Sequence, residues 1–571
     1  MHVPMYIEQV PNRNSRPAIL LREGWREGKK TYKRTIANLT YWPEAKIDAL
    51  RLLLKGEPMV SAREAFVVER TVPHGHVEAV LGTIKRLGLD STIFSKRCRR
   101  RDLVIAMIAE RLIRPCSKLA TTRFWHTTTL AEELNVSNAD ENDLYDAMDW
   151  LLVRQGRIEK KLAARHLLEG SLVLYDVTSS YYEGRTCPLA RFGHNRDRKK
   201  GKLIIVYGLL TDRAGRPVAV TVYHGNTGDP STVPDQVKKL RKRFGLCSVV
   251  LVGDRGMLTQ TQIDKLKDYP GLGWISALRS CAIRKLVNGG NLQMSLFDEK
   301  NLAEIHSPGF SDERLVACYN PLLAEERRKK RGSLLAATEK VLEKIATEVA
   351  RRTKTPLDKA EIGKKVGKVI NRYKVGKHFE IAIDDGAFSF SRKEESIRRE
   401  SDLDGIYVIR TSEPAERISA EDTVGTYKRL EQVESAFRCM KGVDLLVRPI
   451  YHRTEDHVRA HIFLCMLAYY VEYHMRKSLS PLLFEDEQLD ESRMTRDPVK
   501  PAKPSASAKR KKTIRLTPDG FEIHSFQTLL AELATRSRNR CRVKSDKAGS
   551  PFYELTELTP LQKRVFQLLD L

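Results

Sequence analysis

The chain has 571 residues, 41% of them apolar, which suits two to four domains with folded cores and excludes disorder throughout. It carries 100 Lys and Arg against 73 Asp and Glu, a formal charge of +27, which points to a polyanionic partner whose binding weakens steeply with salt. No apolar run approaches the roughly 20 residues of a membrane helix; residues 461–471 come nearest, and residues 1–8 lack the basic-then-apolar pattern of a signal peptide.

Residues 1–60 read as a small β-rich segment, with runs 6–10 and 18–23 flanking a turn-rich stretch and a helix following. Residues 61–170 read as a helical region suited to DNA binding. Val77, Val80, Leu81, Ile84 and Leu87 keep helical spacing, as do Leu103, Ile105, Met107, Ile108 and Leu112, and Pro115 stops the second helix. The basic cluster 96–101 is either a contact to DNA backbone or a solvated helix start.

Residues 171–280 change texture and read as the first part of a core. Strands at 172–178, 202–212 and 217–224 precede a helix at 234–244, a strand at 247–253, a helix at 259–269 and a strand at 274–278. This order builds a mixed sheet. Residues 281–415 read as an insertion of charged helices and strands, broken at Thr355-Pro356, serving as a solvated arm or as a clamp. Residues 416–480 return to the core. Residues 485–513, rich in Pro, Ala and Lys, read as a linker that cannot fold alone. Residues 514–571 read as a helical tail, with Phe526, Leu529, Leu530 and Leu533 helically spaced.

Three acids carry the chemistry. Asp176 ends the apolar run Leu172-Val173-Leu174-Tyr175, and Asp254 ends Val249-Val250-Leu251-Val252-Gly253. Glu434 sits on a helix expected over 427–441, sharing a face with Tyr427, Arg438 and Lys441 beside the apolar stripe Leu430, Val433, Phe437, Met440. Each acid alone suits a turn, a cap or a surface ion pair. Together, two at strand ends and one on a helix can converge on a pair of divalent cations about 4 Å apart, which activates a nucleophile and stabilises a leaving oxygen at a phosphate. On so basic a chain the phosphate is expected to be that of DNA.

The segments Leu174-Tyr175-Asp176-Val177-Thr178, Gly253-Asp254-Arg255-Gly256-Met257 and Tyr427 to Lys441 resemble the prokaryotic insertion-sequence transposases of the DDE type. The last resembles the Y-R-E-K signature of one branch, in which Glu434 and Lys441 keep the spacing; Leu430 stands where the signature has Arg. The resemblance implies an α/β multidomain protein: a ribonuclease-H-like mixed-sheet catalytic core, interrupted between the second and third acids, behind a helical N-terminal region. It implies a DNA transposase with Asp176, Asp254 and Glu434 binding two Mg²⁺ ions, for which Mn²⁺ substitutes. Water activated there cuts the element's ends, and the exposed 3′-hydroxyls attack target DNA. Tyr427, Arg438, Lys441 and Arg255 are expected to hold phosphates, and Lys509, Arg510, Lys511 and Lys512 to attract DNA from a flexible tether. The implied partners are double-stranded DNA, as terminal inverted repeats and target, and a second copy of the chain in a synaptic homodimer.

A metal-dependent DNA nuclease would share the acids without joining ends, and a decayed, non-catalytic DNA-binding protein would share only the charge. A ribosome-associated protein would need no carboxylate cluster. Nine cysteines without a CxxC pair argue against a zinc ribbon or disulfide framework, and for reduced, mostly buried thiols in a cytoplasmic protein; the transposase resemblance implies association with the nucleoid. His457 and His461 have a zinc-compatible spacing but no third ligand.

Overall fold

The computed structural model describes residues 4–13, 15–57, 65–500, 502–544 and 550–571. They form two compact units, residues 1–73 with 536–557, and residues 74–535 with 558–571.

The first unit opens with an antiparallel meander of β1 (Met5–Val10), β2 (Ala18–Glu27) and β3 (Lys30–Asn38), followed by the helix Glu44–Leu54. Gly28 supplies the positive φ, 57°, at the tight β2–β3 turn. β4 (Phe66–Pro73) then takes its partner from the far end of the chain. The region 61–170 thus begins with a strand, and helices start only at Gly75.

The second unit begins with helices Gly75–Arg86, Arg99–Ile113 and Glu141–His166. The second stops one residue short of Pro115, and a capping box between Asp140 and Asp143 starts the third. Much of the basic cluster 96–101 is spent locally, since Arg99 pairs with Asp143 and both Arg97 and Arg101 pair with Asp102.

The core sheet is built from β5 (Ser171–Tyr181), β6 (Ile204–Thr211), β7 (Pro217–Tyr223), β8 (Val249–Val252) and β9 (Leu272–Ala277). β5, β6 and β7 run antiparallel, while β5, β8 and β9 run parallel, in the order β7-β6-β5-β8-β9. This is a ribonuclease-H-like mixed sheet. β6, β8 and β9 are buried along their whole length because both faces are covered, while β5 turns polar from Asp176 onward.

The segment 281–415 does more than interrupt this sheet. It adds β10 (Leu302–Ile305), β11 (Arg314–Tyr319) and, after an excursion, β14 (Ile406–Thr411), extending the sheet to eight strands beyond β9. The excursion comprises helices Pro321–Arg351 and Lys359–Tyr373, the hairpin β12 (Phe379–Asp384) with β13 (Ala387–Arg392), and helix Glu394–Ser401. It has its own core around Leu335, Leu342, Ile362, Val366 and Phe379. Asp358 caps its second helix beyond the break at Thr355-Pro356.

Residues 416–480 form helices Ala420–Lys428, Leu430–Lys441 and Glu455–Leu479. The last is buried along nearly its whole length, against helices Arg99–Ile113 and Glu141–His166 and strand β7. No helix among the described residues is long and apolar enough to cross a membrane. The segment expected as a linker carries helices Leu489–Thr495 and Ala506–Ile514, although Pro501 lies outside the described residues. Its order comes from docking. Asp486 accepts from the Ser505 amide and hydroxyl, and Lys511 Nζ donates to the carbonyls of Ser480 and Glu485 at 2.6 and 3.1 Å. The tail adds helices Phe526–Ala534 and Pro560–Leu568, the first burying Phe526, Leu529, Leu530 and Leu533. Between them lie β15 (Ser537–Val543), which pairs with β4, and β16 (Phe552–Leu555).

All nine cysteines are free thiols; Cys187, Cys318, Cys465 and Cys541 are buried, while Cys247 and Cys281 are exposed.

Candidate active site

The register of the central strands brings the two aspartates together. Leu174 on β5 pairs with Val252 on β8 in a parallel ladder. Two residues further along each chain lie Asp176 and Asp254, at the same end of neighbouring strands. Asp176 remains within β5, where rigid backbone on both sides fixes it. Asp254 follows β8 in a tight turn, and its Oδ1 accepts the amides of Gly256 and Met257, both at 2.8 Å.

Glu434 comes from helix Leu430–Lys441. Leu430, Val433, Ala436, Phe437 and Met440 are buried, and the Phe437 ring meets Tyr207 of β6 edge-on at 5.8 Å. This stripe seats the helix on the sheet, while Glu434 and Arg438 stay exposed. The expected single helix over 427–441 is broken at Arg429, which closes helix Ala420–Lys428 and opens the next. Tyr427 therefore lies on the preceding helix, though still within the influence of the acids. Burial and the negative charge of Asp254 push its phenol up to about 12.

Asp176, Asp254 and Glu434 line one open cavity of about 470 Å³, together with Arg196, Arg438, Lys441 and Arg448. Burial pushes the Asp176 carboxyl up to about 7. The charges of Asp254 and Glu434 add to that, against the Val177 amide and Arg196. Carboxylates that raise one another's proton affinity are a donor set that favours a cation. Among the described residues only Cys439, Asp444 and Glu472 gather three potential ligand atoms within 4.8 Å, so the three cavity acids are spaced more widely. The tighter group already has its cation: Arg476 donates to Glu472 at 2.6 Å and pairs with Asp444 at 3.3 Å.

The cations expected to hold phosphates differ in availability. Arg438 reaches the cavity and makes no side-chain ion pair among the described residues. Lys441 donates to Asp197 at 2.6 Å, to Thr178 Oγ1 at 3.1 Å and to the Ser179 carbonyl at 2.7 Å. Burial lowers its pKa, against the pull of Asp197. Arg255 is exposed and lines a different cavity, with Arg279 and Arg410. Lys509, Arg510 and Lys512 are exposed on helix Ala506–Ile514, whereas Lys511 is buried; none of the four lines the acid cavity.

Sequence reasoning missed four residues here: Arg196, Asp197, Asp229 and Arg448. In the loop 192–200, His194 lends its backbone carbonyl to Ser179 Oγ at 3.1 Å, and its side chain is exposed. Arg196 pairs with Asp229, and Arg448 with Asp197. A close backbone crossing fixes these loops. A Cβ on Gly193 would lie 2.1 Å from the Gly225 carbonyl oxygen, so only glycine fits. His457 stacks on Tyr145 at 4.8 Å and His461 bonds to the Val447 carbonyl at 3.1 Å, which accounts for both without a metal.

A family model described as "Transposase DDE domain" matches residues 169–471, and one described as "IS1634 family transposase, N-terminal domain" matches residues 7–64. No curated protein sequence matches the chain significantly. Among solved structures it is similar to a piggyBac transposase synaptic complex with hairpin DNA, determined by cryo-EM. The identity is 10% and the TM-score 0.34, over 86% of this chain and 84% of that one.

Proposed function

The chain belongs to the family of transposases with a DDE domain, and on that premise we propose that Asp176, Asp254 and Glu434 are the catalytic acids of this DNA transposase. The observation that carries the reading is their convergence on one cavity from β5, from the end of β8 and from helix Leu430–Lys441. Two Mg²⁺ ions, for which Mn²⁺ substitutes, would be held by these three carboxylates and would supply Lewis acidity at the scissile phosphate and an activated water.

The protein's own groups do the positioning. Asp254 has one oxygen fixed by two amides, so the other is oriented toward a ligand. Asp176 is held on a strand, and the burial and neighbouring acids that raise its proton affinity favour a cation in the same way. Glu434 sits on an exposed face with one turn of helix separating it from Arg438, whose guanidinium offers a charge-assisted contact to DNA phosphate. Tyr427, Glu434 and Lys441 take the Y, E and K places of the Y-R-E-K signature. The reaction is cleavage at the ends of the insertion sequence followed by attack of the 3′-hydroxyls on target DNA. The helical region before the core reads the terminal inverted repeats. Two copies of the chain synapse two ends, in the cytoplasm at the nucleoid.

The test is Mg²⁺-dependent cleavage of a labelled duplex carrying the DNA that flanks the coding sequence, with the native protein and Asp254→Ala. Nicking at the end is expected from the native chain and absent from the variant, with binding retained in both. Cleavage that survives in the variant would overturn the assignment.

A further inference from the structure

Lys441 has no donor to spare: its three N–H groups already serve Asp197, Thr178 and Ser179. Two arginines lining the same cavity are placed differently. Arg448 donates Nη1 to Asp197 and Nε to the Lys441 carbonyl at 3.1 Å; among the described residues no acceptor takes its Nη2. Arg196 donates Nη2 to Asp229, and its Nε and Nη1 have no acceptor among the described residues. Their side chains keep 32% and 23% exposure, so the unused edges reach solvent.

Each guanidinium is therefore held by a carboxylate on one arm with the other arm open. Asp197 is itself fixed, being 1% exposed and accepting the Tyr181 amide at 3.0 Å. A guanidinium immobilised in this way loses little entropy when a free N–H takes a further acceptor. A phosphodiester oxygen meets that description.

We propose that Arg448 and Arg196 grip phosphates of the DNA strand that enters the acid cavity, and that Asp197 and Asp229 are positioning residues that aim them. The proposal rests on reading that cavity as the cutting site, and assigns to these arginines the phosphate contact that Lys441 is too committed to make.

The experiment measures how duplex binding depends on salt, without Mg²⁺, for the native chain, Arg448→Ala, Arg196→Ala, Arg448→Lys and Arg438→Ala. Each lost phosphate contact should flatten the slope of log K against log salt by about 0.9, roughly a 3.5-fold smaller affinity loss between 50 and 200 mM. Arg448→Ala and Arg196→Ala should each show this at the native melting temperature, as should Arg438→Ala, the reference for an exposed phosphate contact in the same cavity. Arg448→Lys should match Arg448→Ala, because the shorter side chain, with its ammonium drawn onto Asp197, does not reach beyond that carboxylate to a phosphate. Native slopes in Arg196→Ala and Arg448→Lys would overturn the proposal, even if Arg448→Ala failed to fold. Flattened slopes in a native protein that cuts nothing with Mg²⁺ would leave the grip standing and sink the cutting role instead.

Discussion

Lys441 Nζ lies 2.6 Å from the Asp197 carboxylate, with the two side chains only 10% and 1% exposed. Arg448 shares the same carboxylate. One buried anion thus reconciles two cations that arrive from the end of a helix and from the following turn. Asp197→Ala should cost about 3–5 kcal/mol, because it leaves the cations facing each other without compensation. Urea unfolding would measure this, and a loss below about 1 kcal/mol would show that the cations find other partners.

The backbone crossing beside this network makes a second prediction. A Cβ on Gly225 would lie 2.1 Å from the Ile204 carbonyl and 2.6 Å from that of Arg191. Both obstacles are backbone, so the loop carrying Arg196 must shift. Gly225→Ala should destabilise the protein by about 1–3 kcal/mol and impair cleavage beyond what stability explains. Native stability and native cleavage in that variant would contradict the crossing.

Acid should weaken the fold through its buried histidines. Burial pushes His76 down to about 4, His452 to about 3 and His461 well below its ordinary value. Their folded pKa values lie beneath the unfolded value, so this stabilisation is complete above pH 6.5 and is lost as pH falls toward 4. Between pH 7 and pH 5 each should cost about 2 kcal/mol. The stability difference between those pH values should therefore shrink by about that amount in His76→Leu; an unchanged difference would show that His76 takes up its proton in the folded protein.

The excursion between β11 and β14 should be removable. The Asn320 amide donates to the Gly405 carbonyl at 2.9 Å, so its ends already meet, and its core is its own. Replacing residues 325–402 with a short Gly-Ser link should leave a soluble, cooperatively unfolding protein by circular dichroism. If the excursion is a DNA clamp, affinity for duplex should fall at least tenfold; if it is a solvated arm, affinity should stay as it was.

Much of the core was legible because its strands are unbroken apolar runs between turn residues, as in 204–211 and 217–223. The three acids were legible for a related reason: two close such runs, and the third edges an apolar stripe. Two of the outer strands, β10 and β11, were not. β10 has only four residues and includes Glu304, and β11 meets β14 only across the whole excursion. The linker reading failed to anticipate two helices because its order depends on partners outside the segment, such as Glu485 and Ser480 for Lys511. The guanidinium network was hidden in the same way. Asp197 and Arg448 stand 251 residues apart, and each alone reads as surface charge.

The pairing of β4 with β15 has a consequence for synthesis. β4 is an edge strand whose one neighbour in its sheet is β15, and Thr71 meets Asn539 across 468 residues of sequence. At about 5–20 residues per second, β4 waits roughly half a minute to a minute and a half on the ribosome before that neighbour is made. Through this interval Phe66, Val67 and Val68, exposed even in the finished sheet, border an unpaired backbone edge. A messenger cut short before codon 537 would leave that edge permanently open. Such fragments should precipitate or be degraded instead of competing with the finished protein for DNA, because β15 alone pairs with β4 among the described residues.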